Sequence, residues 1–559
     1  MHSIWFKDIS NNLLFKKKSL SILVRYISSS LLKKEKFNEV FPDDIVNDTY
    51  PRIVFISVSD GNMQAKVFVG CSQGILSAIN KSINKIVAFF PGNICSVKVD
   101  FVNESYNNIT LDAEQIINIK YNLLGLANDD MREIVILNEE IIYNKLFHDE
   151  GVVNPSYCEL YFKDKFKLFM DEVDKNTNSW SSFTTKSFYI DGDGIVELYR
   201  GHKLSSELTK KNIKCSLDKA GKYLISSIDS KGKFNYIYDP IRNQNSLQYN
   251  MLRHCGTVYS LLELYELFKD TKFLDAAVLG IQYLMDFMKP VTIKDVQTVC
   301  LIEHNAIRLG GNGLALLALA KYTKLTKDYQ YKETMENLAK WIKHSQDSNG
   351  NFSIHKQSAL TDEVSDYRSD YYPGEAIFAL LRLYEIDSNY EWVDVSTKAV
   401  DYIINNLAEE TIQNHHHWFM YSLNELYSIV PDKKYVEHSQ KIANAIIDFQ
   451  VKDTPSLDMI GCFGNISSTS TATRIEGLLA DYKLCQKANY DSELQRIMET
   501  IKLGISFQLQ TQYATESAMY FINPQWVLGA FAQSFTEPSI RIDYIQHNIS
   551  ALVNFYNTL

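Results

Sequence analysis

Apolar positions in the first two hundred residues follow mixed periods, which predict strands and helices together. Two β-rich runs flank Asp60, Gly61 and Asn62 in "RIVFISVSDGNMQAKVFVGCS", which is a hairpin signal. "ILSAINKSINKIVAFF" then has helical spacing, and "SVKVDFVNE" is strand-like again. Further strand-like pieces follow up to residue 200. The pattern predicts an α+β domain over residues 1–205, in which the sequence shows no catalytic motif.

From about residue 213 the pattern changes to one amphipathic helix after another, and it repeats. Five strongly apolar helices contain similar segments: "SLLELYE" (260–266), "ALLALAKY" (315–322), "ALLRLYE" (379–385), "SLNELYS" (422–428) and "GLLADYK" (477–483). "WVLGAFAQSF" (526–535) takes the next expected place with a weaker match. Helices that mix charges with one apolar stripe, as partly solvated helices do, alternate with these segments. The alternation predicts six hairpins of one outer and one inner helix.

Six such hairpins can close into a ring that buries the inner helices on all sides. This organisation resembles the all-α (α/α)6 toroid of the six-hairpin glycosidase-like superfamily, over roughly residues 213–559. The resemblance rests on the repeat number and the helix pattern. It implies a catalytic domain that acts on carbohydrate as a glycoside hydrolase, a polysaccharide lyase or a sugar epimerase. An open α-solenoid is the structural alternative, but its repeats usually run about 34–47 residues, shorter than most spacings here.

In such a toroid the inner helices run parallel, so their N-termini face one end of the ring, where a pocket can form. Polar and aromatic residues are therefore expected just before each apolar inner run, and the sequence has them there. Capping and the helix dipole explain any one of them, and His254 alone fits a hydrogen-bonded core histidine better than a catalyst. The predicted catalytic residues are Asp370, Glu375, His254, His417 and Glu476. The predicted substrate-binding residues are Arg253, Tyr249, His304, Glu303, Arg368, Tyr371, Tyr372, Trp418, Arg474 and Trp526.

These residue types suit a carbohydrate ligand, because the aromatic side chains offer flat faces and the arginines can hold carboxylates or phosphates. Glycoside hydrolysis needs two carboxyl groups, and the sequence does not select the pair. Epimerisation or elimination needs proton transfer next to a carbonyl or carboxylate, which histidine and tyrosine can perform. The sequence therefore predicts a glycoside hydrolase acting on an anionic sugar or glycan. A sugar epimerase or lyase is the alternative, and a non-catalytic glycan- or protein-binding toroid is the alternative of another class.

Composition excludes several other classes. The formal net charge of −10 argues against nucleic acid as a partner. Eight cysteines stand singly without a CxxC pair, and the neighbouring His415, His416 and His417 would point in different directions on a helix. No cofactor and no metal site is therefore predicted. The chain has no run of 18 apolar residues, and its basic first 37 residues lack the features of a signal peptide. A cytoplasmic location is expected.

Overall fold

The computed structural model describes residues 52–90, 94–128, 134–168, 180–191, 194–204, 207–293, 296–406, 417–464 and 466–559. The basic segment over residues 1–37 lies outside these ranges, as do His415 and His416. The predicted fold class is confirmed, because a strand-rich N-terminal region precedes a region built of helical hairpins. No helix within the described residues is long and apolar enough to cross a membrane.

The N-terminal region is an antiparallel sheet with helices packed on it. Its strands are β1 Arg52–Ser59, β2 Lys66–Ser72, β3 Ser96–Ile109, β4 Gly125–Asn128, β5 Val135–Ile136, β6 Trp180–Asp191 and β7 Gly194–Leu198. They run in the order β2-β1-β3-β6-β4-β5, and β7 also pairs with β6. The helices are α1 Ile75–Phe89, α2 Ala113–Tyr121, α3 Asn138–Tyr143 and α4 Pro155–Phe166. The predicted hairpin around Gly61 is confirmed by the pairing of β1 with β2.

Strand β1 shows why this sheet is covered on both faces. Its side chains alternate between the two faces, as the strand period of two requires. Val54, Ile56 and Val58 pack in one apolar cluster with residues of α1. Ile53 and Phe55 pack in a different cluster with residues of β5 and β6. The strand therefore reads as a continuous apolar run rather than as alternating apolar and polar residues.

Within the described residues, six outer and six inner helices alternate along the helical region. The outer helices are α5 Lys210–Ser227, α7 Thr271–Met285, α9 Lys332–His344, α11 Glu391–Asn406, α13 Lys433–Asp448 and α15 Leu494–Gln510. The inner helices are α6 Met251–Phe268, α8 Leu309–Thr326, α10 Tyr372–Asp387, α12 His417–Ile429, α14 Ser468–Lys487 and α17 Ile542–Tyr556. Each inner helix packs on the next, and α17 packs on α6, which closes the ring. A short helix, α16, spans Thr515–Ala518.

Short strands lie at the ends of the helical hairpins. Their bounds are β8 Ile237–Asp239, β9 Gln244–Asn245, β10 Met288–Ile293, β11 Val296–Glu303, β12 Ala306–Arg308, β13 Lys356–Ser358 and β14 Ile540–Arg541. They form two small sheets, in the orders β10-β11-β12-β13 and β14-β8-β9. The pairing of β14 with β8 joins the last hairpin of the ring to the first.

Burial separates the two sets of helices, as the sequence predicted. Every residue of α8 from Leu309 to Ala320 is buried, whereas α9 buries only one stripe. Glycine permits the close packing of inner helices, since a Cβ at Gly313 would lie 3.1 Å from the backbone of α10. Three inner helices also end alike, because Lys269, Lys327 and Ser388 follow α6, α8 and α10 in the left-handed conformation.

The sixth inner helix differs from the prediction. The segment 526–535 was expected to form it, but the structure has a short 3-10 turn at Pro524–Trp526 and irregular backbone beyond it. Gly529 has φ +86° and lies against the backbone carbonyl of Lys219, so a helix cannot run through this segment. The inner position is taken instead by α17, which is buried along almost its whole length.

Candidate active site at the inner-helix N-termini

The N-terminal turns of the inner helices converge on a cavity of about 290 Å3. Residues from α6, α8, α10, α12, α14 and α17 line it, together with the loops that lead into α14 and α17. The convergence follows from the hairpin repeat, because successive inner helices run in the same direction. The sequence predicted a pocket at this end of the ring, and the structure has a cavity there.

The start of α6 holds Arg253 at the end of the ring where the inner helices begin, which we call the mouth of the ring. Asn250 caps this helix by accepting from the Arg253 backbone N–H (3.1 Å), and Glu303 Oε1 accepts from the Met251 N–H (2.9 Å). The Arg253 guanidinium then donates from Nε to Asp543 Oδ2 (2.9 Å). Arg541 donates to both oxygens of the same carboxylate, from Nη2 to Oδ2 over 2.9 Å. Two guanidinium groups thus share one carboxylate, which leaves excess positive charge beside the cavity.

Glu375 is a buried carboxyl group in the first turn of α10, and it lines the cavity. Its side chain fits because α8 has no side chain at Gly310, where a Cβ would collide with Glu375 Oε2 and with the Tyr372 ring. Within the described residues, Oε2 has no hydrogen-bond partner. Burial raises the pKa of Glu375 to about 8, although the charge of Arg253 opposes the shift. At neutral pH this group is mainly a neutral acid that can donate a proton.

His417, Glu476 and His547 meet beside the same cavity, and we call them the His-Glu-His cluster. Glu476 Oε1 bonds to His547 Nδ1 (2.8 Å), and Glu476 Oε2 accepts from the Tyr421 hydroxyl (3.1 Å). The two imidazole rings stand edge to face with centroids 5.2 Å apart. Burial raises the pKa of Glu476, while His547 and the Tyr421 hydrogen bond oppose the shift.

Arg474 is a buried cation that, among the described residues, makes no ion pair with a carboxylate. Its side chain is 7% exposed, and it packs over the rings of Phe449 and Phe463 at 5.5 and 5.7 Å. Nη1 donates to the Ser470 carbonyl (3.1 Å). Burial lowers the pKa of Arg474, and the nearby Tyr371 hydroxyl opposes this shift. An isolated buried charge is costly, so this guanidinium is ready to accept an anionic partner.

His254 does not belong to the cavity, and we correct the prediction of a catalytic role. Its Nε2 donates to the Gly280 carbonyl of the outer helix α7 (2.8 Å), so Nδ1 accepts from the Tyr249 hydroxyl (2.8 Å). Both nitrogens are satisfied, and complete burial of the ring lowers the pKa of His254 to about 4, although the hydrogen bond to Gly280 opposes the shift. His254 and Tyr249 thus join an inner helix to its outer partner.

Other predicted residues also stand away from the cavity lining. Asp370, Arg368 and His304 are exposed, and the Arg368 guanidinium donates to backbone carbonyls of its own loop. Trp526 is 57% exposed, and its ring lies 6.1 Å from that of Tyr238. Asp370, Arg368 and His304 come from loops, which the helix pattern could not place in space, and Trp526 ends the 3-10 turn found where an inner helix was predicted.

Two further predicted residues have structural partners. Glu303 caps α6 and pairs with Arg308 (3.2 Å). Tyr372 is buried against Gly310 and near the rings of Tyr367 and His355. Of the predicted set, the structure brings Arg253, Glu375, Tyr371, His417 and Trp418 to the cavity, with Arg474 and Glu476 immediately behind them.

The sequence reasoning missed the contribution of the last inner helix. Arg541, Asp543, Tyr544, Gln546 and His547 all line the cavity. The predicted sixth inner helix lies in an earlier segment, so the prediction does not include these residues. The signal was present, since "RIDYIQH" places these polar residues immediately before the apolar run "ISALVNFY".

Comparisons with known proteins agree with the architecture. A sequence profile described as "Beta-L-arabinofuranosidase, GH127 catalytic domain" matches residues 310–503. None of the curated proteins compared matches this sequence. Cellobiose 2-epimerase from Bacillus thermoamylovorans is 10% identical over 63% of this chain and 99% of its own, with a TM-score of 0.50. An alpha-1,6-mannanase from Salegentibacter sp. is 12% identical over 61% of this chain and 98% of its own, with a TM-score of 0.46.

The likeness to the epimerase confirms the predicted toroid. The helical region has an (α/α)6 toroid fold. The family profile, which spans Glu375, His417 and Glu476, supports a carbohydrate-active enzyme.

Proposed function

We propose that the protein is a glycoside hydrolase that binds an anionic sugar or glycan in the cavity at the inner-helix N-termini. The observation that carries the proposal is Glu375, a buried carboxylic acid with a pKa of about 8 that lines the cavity. Such a group is protonated at neutral pH and can protonate the oxygen of a leaving sugar. In the described structure Oε2 has no internal hydrogen-bond partner, so it is available to a substrate.

Hydrolysis needs a second group that removes a proton from water or attacks the sugar. The paired Glu476 and His547 supply it, since His547 on α17 lines the same cavity and Glu476 on α14 bonds to it from behind. Tyr421 holds the other oxygen of Glu476, so the carboxylate is fixed in orientation. In this arrangement Glu375 donates the proton to the leaving group, and the Glu476–His547 pair receives one from water.

An anionic substrate follows from the charges around the cavity. Arg253 and Arg541 share the single carboxylate of Asp543. Arg474 has no carboxylate partner among the described residues, although it is buried. A carboxylate or phosphate on the sugar would offset this charge through paired, charge-assisted hydrogen bonds.

Epimerisation is the second candidate, and one observation favours it. His417 and His547 present their rings to one another at 5.2 Å and both line the cavity. Two such groups can take a proton from one face of a sugar carbon and return it to the other. Epimerisation would incorporate solvent deuterium at that carbon without releasing a leaving group.

A substrate panel separates these reactions. We expect release of the leaving group from aryl glycosides of uronic acids, with slower release from neutral pyranosides and from arabinofuranosides. Reducing sugars incubated in deuterated water report epimerisation by mass and NMR. Glu375→Gln should remove the hydrolytic activity, while Glu333→Gln, on the exposed face of α9, should retain it.

Each outcome of the panel decides between functions. Deuterium exchange without leaving-group release would replace the hydrolase by the epimerase. Unchanged hydrolysis in Glu375→Gln would exclude this residue as the acid. Glycan binding without turnover of any substrate would instead support the non-catalytic binding toroid.

A further inference from the structure

We propose that the His-Glu-His cluster is a binding site for one transition-metal cation, with Zn2+ as the best fit. One potential ligand atom from each of His417, Glu476 and His547 lies within 4.8 Å of the others. Two imidazole nitrogens and one carboxylate oxygen are a donor set that zinc accepts, and catalytic zinc sites combine three such protein ligands with an open fourth position. This inference extends beyond the proposed hydrolase, because metal binding does not require that reaction.

The ligand atoms of the three side chains already lie near the separations that a bound zinc ion requires. Zinc holds nitrogen and oxygen ligands at about 2.0–2.2 Å, which places tetrahedral ligand atoms roughly 3.4 Å apart. In the structure His547 Nδ1 and Glu476 Oε1 are 2.8 Å apart, and the widest separation within the cluster stays under 4.8 Å. Side-chain rotations of the histidines are therefore sufficient to reach coordination geometry. The hydrogen bond between His547 and Glu476 would be replaced by bonds to the cation.

The scaffold around the cluster is rigid and closely packed. The three residues lie on α12, α14 and α17, which are consecutive inner helices of the ring. Gly477, next to Glu476, lets α12 and α14 approach, because a Cβ there would lie 3.4 Å from His417 Cα and 2.8 Å from Met420 Sδ. Ligands on packed helices are held more accurately than ligands on loops.

Tyr421 orients the Glu476 carboxylate by a hydrogen bond, as carboxylates that bind a metal are usually oriented. It lies one helical turn beyond His417 on α12 and donates to Glu476 Oε2 (3.1 Å). The other oxygen, Oε1, bonds to His547 Nδ1. A carboxylate oriented in this way by an outer hydrogen bond is typical of metal sites.

The fourth coordination position would open into the cavity, since His417 and His547 line it. The buried Glu476 carboxylate would be neutralised by the cation. Arg253 and Arg541 would repel the cation, but Asp543 binds both guanidinium groups and weakens this effect. A metal-bound water there would be ionised more readily than a free one, so the cluster would still act on water.

Metal titration without substrate tests the inference. We expect the purified chain, stripped with a chelator, to bind one Zn2+ or Co2+ tightly, and Co2+ to give the visible absorption of a low-coordinate nitrogen and oxygen site. His547→Ala and Glu476→Gln should each weaken binding by more than about 100-fold. Tyr421→Phe should weaken it by about 10–100-fold, as loss of an outer hydrogen bond does. His148→Ala, an exposed histidine of the N-terminal region, should bind as the wild type does.

The controls keep the result independent of folding and of the reaction. Circular dichroism and urea unfolding verify each variant, and if Glu476→Gln does not fold, His547→Ala carries the comparison. Absence of binding in the wild type, or wild-type affinity in both ligand variants, would overturn the metal site. Because the titration contains no substrate, its failure leaves the hydrolase proposal standing. A metal-binding protein without turnover would leave the metal site standing alone.

Discussion

The protein buries charged residues in two places, within the N-terminal sheet and at the mouth of the ring. The two places differ in whether the buried charges have partners of opposite charge. In the sheet, the fully buried Lys98 lies between Asp100 (2.7 Å) and Glu139, and we call these three the sheet cluster. The Tyr520 ring from the helical region covers Lys98 at 5.6 Å. At the mouth, Glu375 and Arg474 are equally buried, but within the described residues neither has a partner of opposite charge in contact.

This difference distinguishes charged residues that are buried for stability from those that are buried at a functional site. Burial raises the pKa of Glu139 to about 7, although Lys98 opposes the shift. Burial also opposes the charge of Lys98, but Asp100 and Glu139 raise its pKa above the ordinary value. The sheet cluster thus supplies its own counter-charge, since Lys98 contacts both carboxyl groups. The mouth leaves an acid and a cation uncompensated beside a cavity, which is expected where a ligand completes the site.

The largest effect on stability is expected when the cation of the sheet cluster is removed. Lys98→Met leaves two buried carboxyl groups without their cation, so we expect a loss of about 3–5 kcal/mol in the free energy of unfolding. Urea unfolding monitored by circular dichroism measures it. A loss below about 1 kcal/mol would show that the sheet cluster is not a buried ion pair of this kind.

Glu375→Gln, at the mouth of the ring, should reduce activity rather than stability. Turnover should fall by roughly 10²–10⁴-fold, because a general acid is removed. Stability at neutral pH should rise rather than fall, since the amide removes the cost of keeping a proton that the unfolded carboxyl group releases there. Initial rates and urea unfolding of the same preparation measure both quantities. A strong loss of stability with normal turnover would make Glu375 a structural residue like those of the sheet cluster.

The pH dependence of stability should also reveal Glu375. Its pKa is about 8 in the folded protein against an ordinary value of 4.5, so the folded state keeps a proton that the unfolded state releases in this interval. Its contribution is complete below pH 4.5 and is lost as the pH rises towards 8, by up to about 1.4 kcal/mol per pH unit. Glu375→Gln should remove this slope. Parallel stability curves for the two proteins across the interval would contradict the raised pKa.

Arg474→Met tests the uncompensated cation with a smaller effect. For an acidic substrate we expect a loss of about 1.5–3 kcal/mol in binding, roughly 10- to 150-fold in KM, because a charged hydrogen-bond donor is removed. KM for a neutral analogue should change little. Steady-state kinetics on a matched pair of substrates make the comparison. Equal losses on both would mean that Arg474 supports the cavity wall rather than the substrate anion.

The smallest effect is expected for Tyr249→Phe, behind the mouth. It leaves His254 Nδ1 without its donor and the Phe234 N–H without its acceptor. We expect a loss of about 1–2 kcal/mol in unfolding free energy. Thermal and urea unfolding measure this loss. No change in stability would argue against the hydrogen-bonded role of His254 between α6 and α7.

The sequence by itself determined the two regions and the number of hairpins. Apolar side chains recur with the helical period, and solvent exposure distinguishes the outer from the inner helices. Parallel inner helices also place their N-termini together, so Arg253, Glu375 and His417 could be predicted at one pocket. These conclusions depend on local periodicity, which a sequence shows directly.

Tertiary structure alone decided which of those residues share the cavity. His254 lies one residue after Arg253, yet its ring points to the outer helix, because neighbouring residues on a helix face different directions. Asp370 lies five residues before Glu375 and is exposed, since it belongs to a loop whose path has no period. His547 meets Glu476 across more than seventy residues through the closure of α17 onto the ring. Such contacts depend on packing between distant segments, which no pattern within one segment can specify.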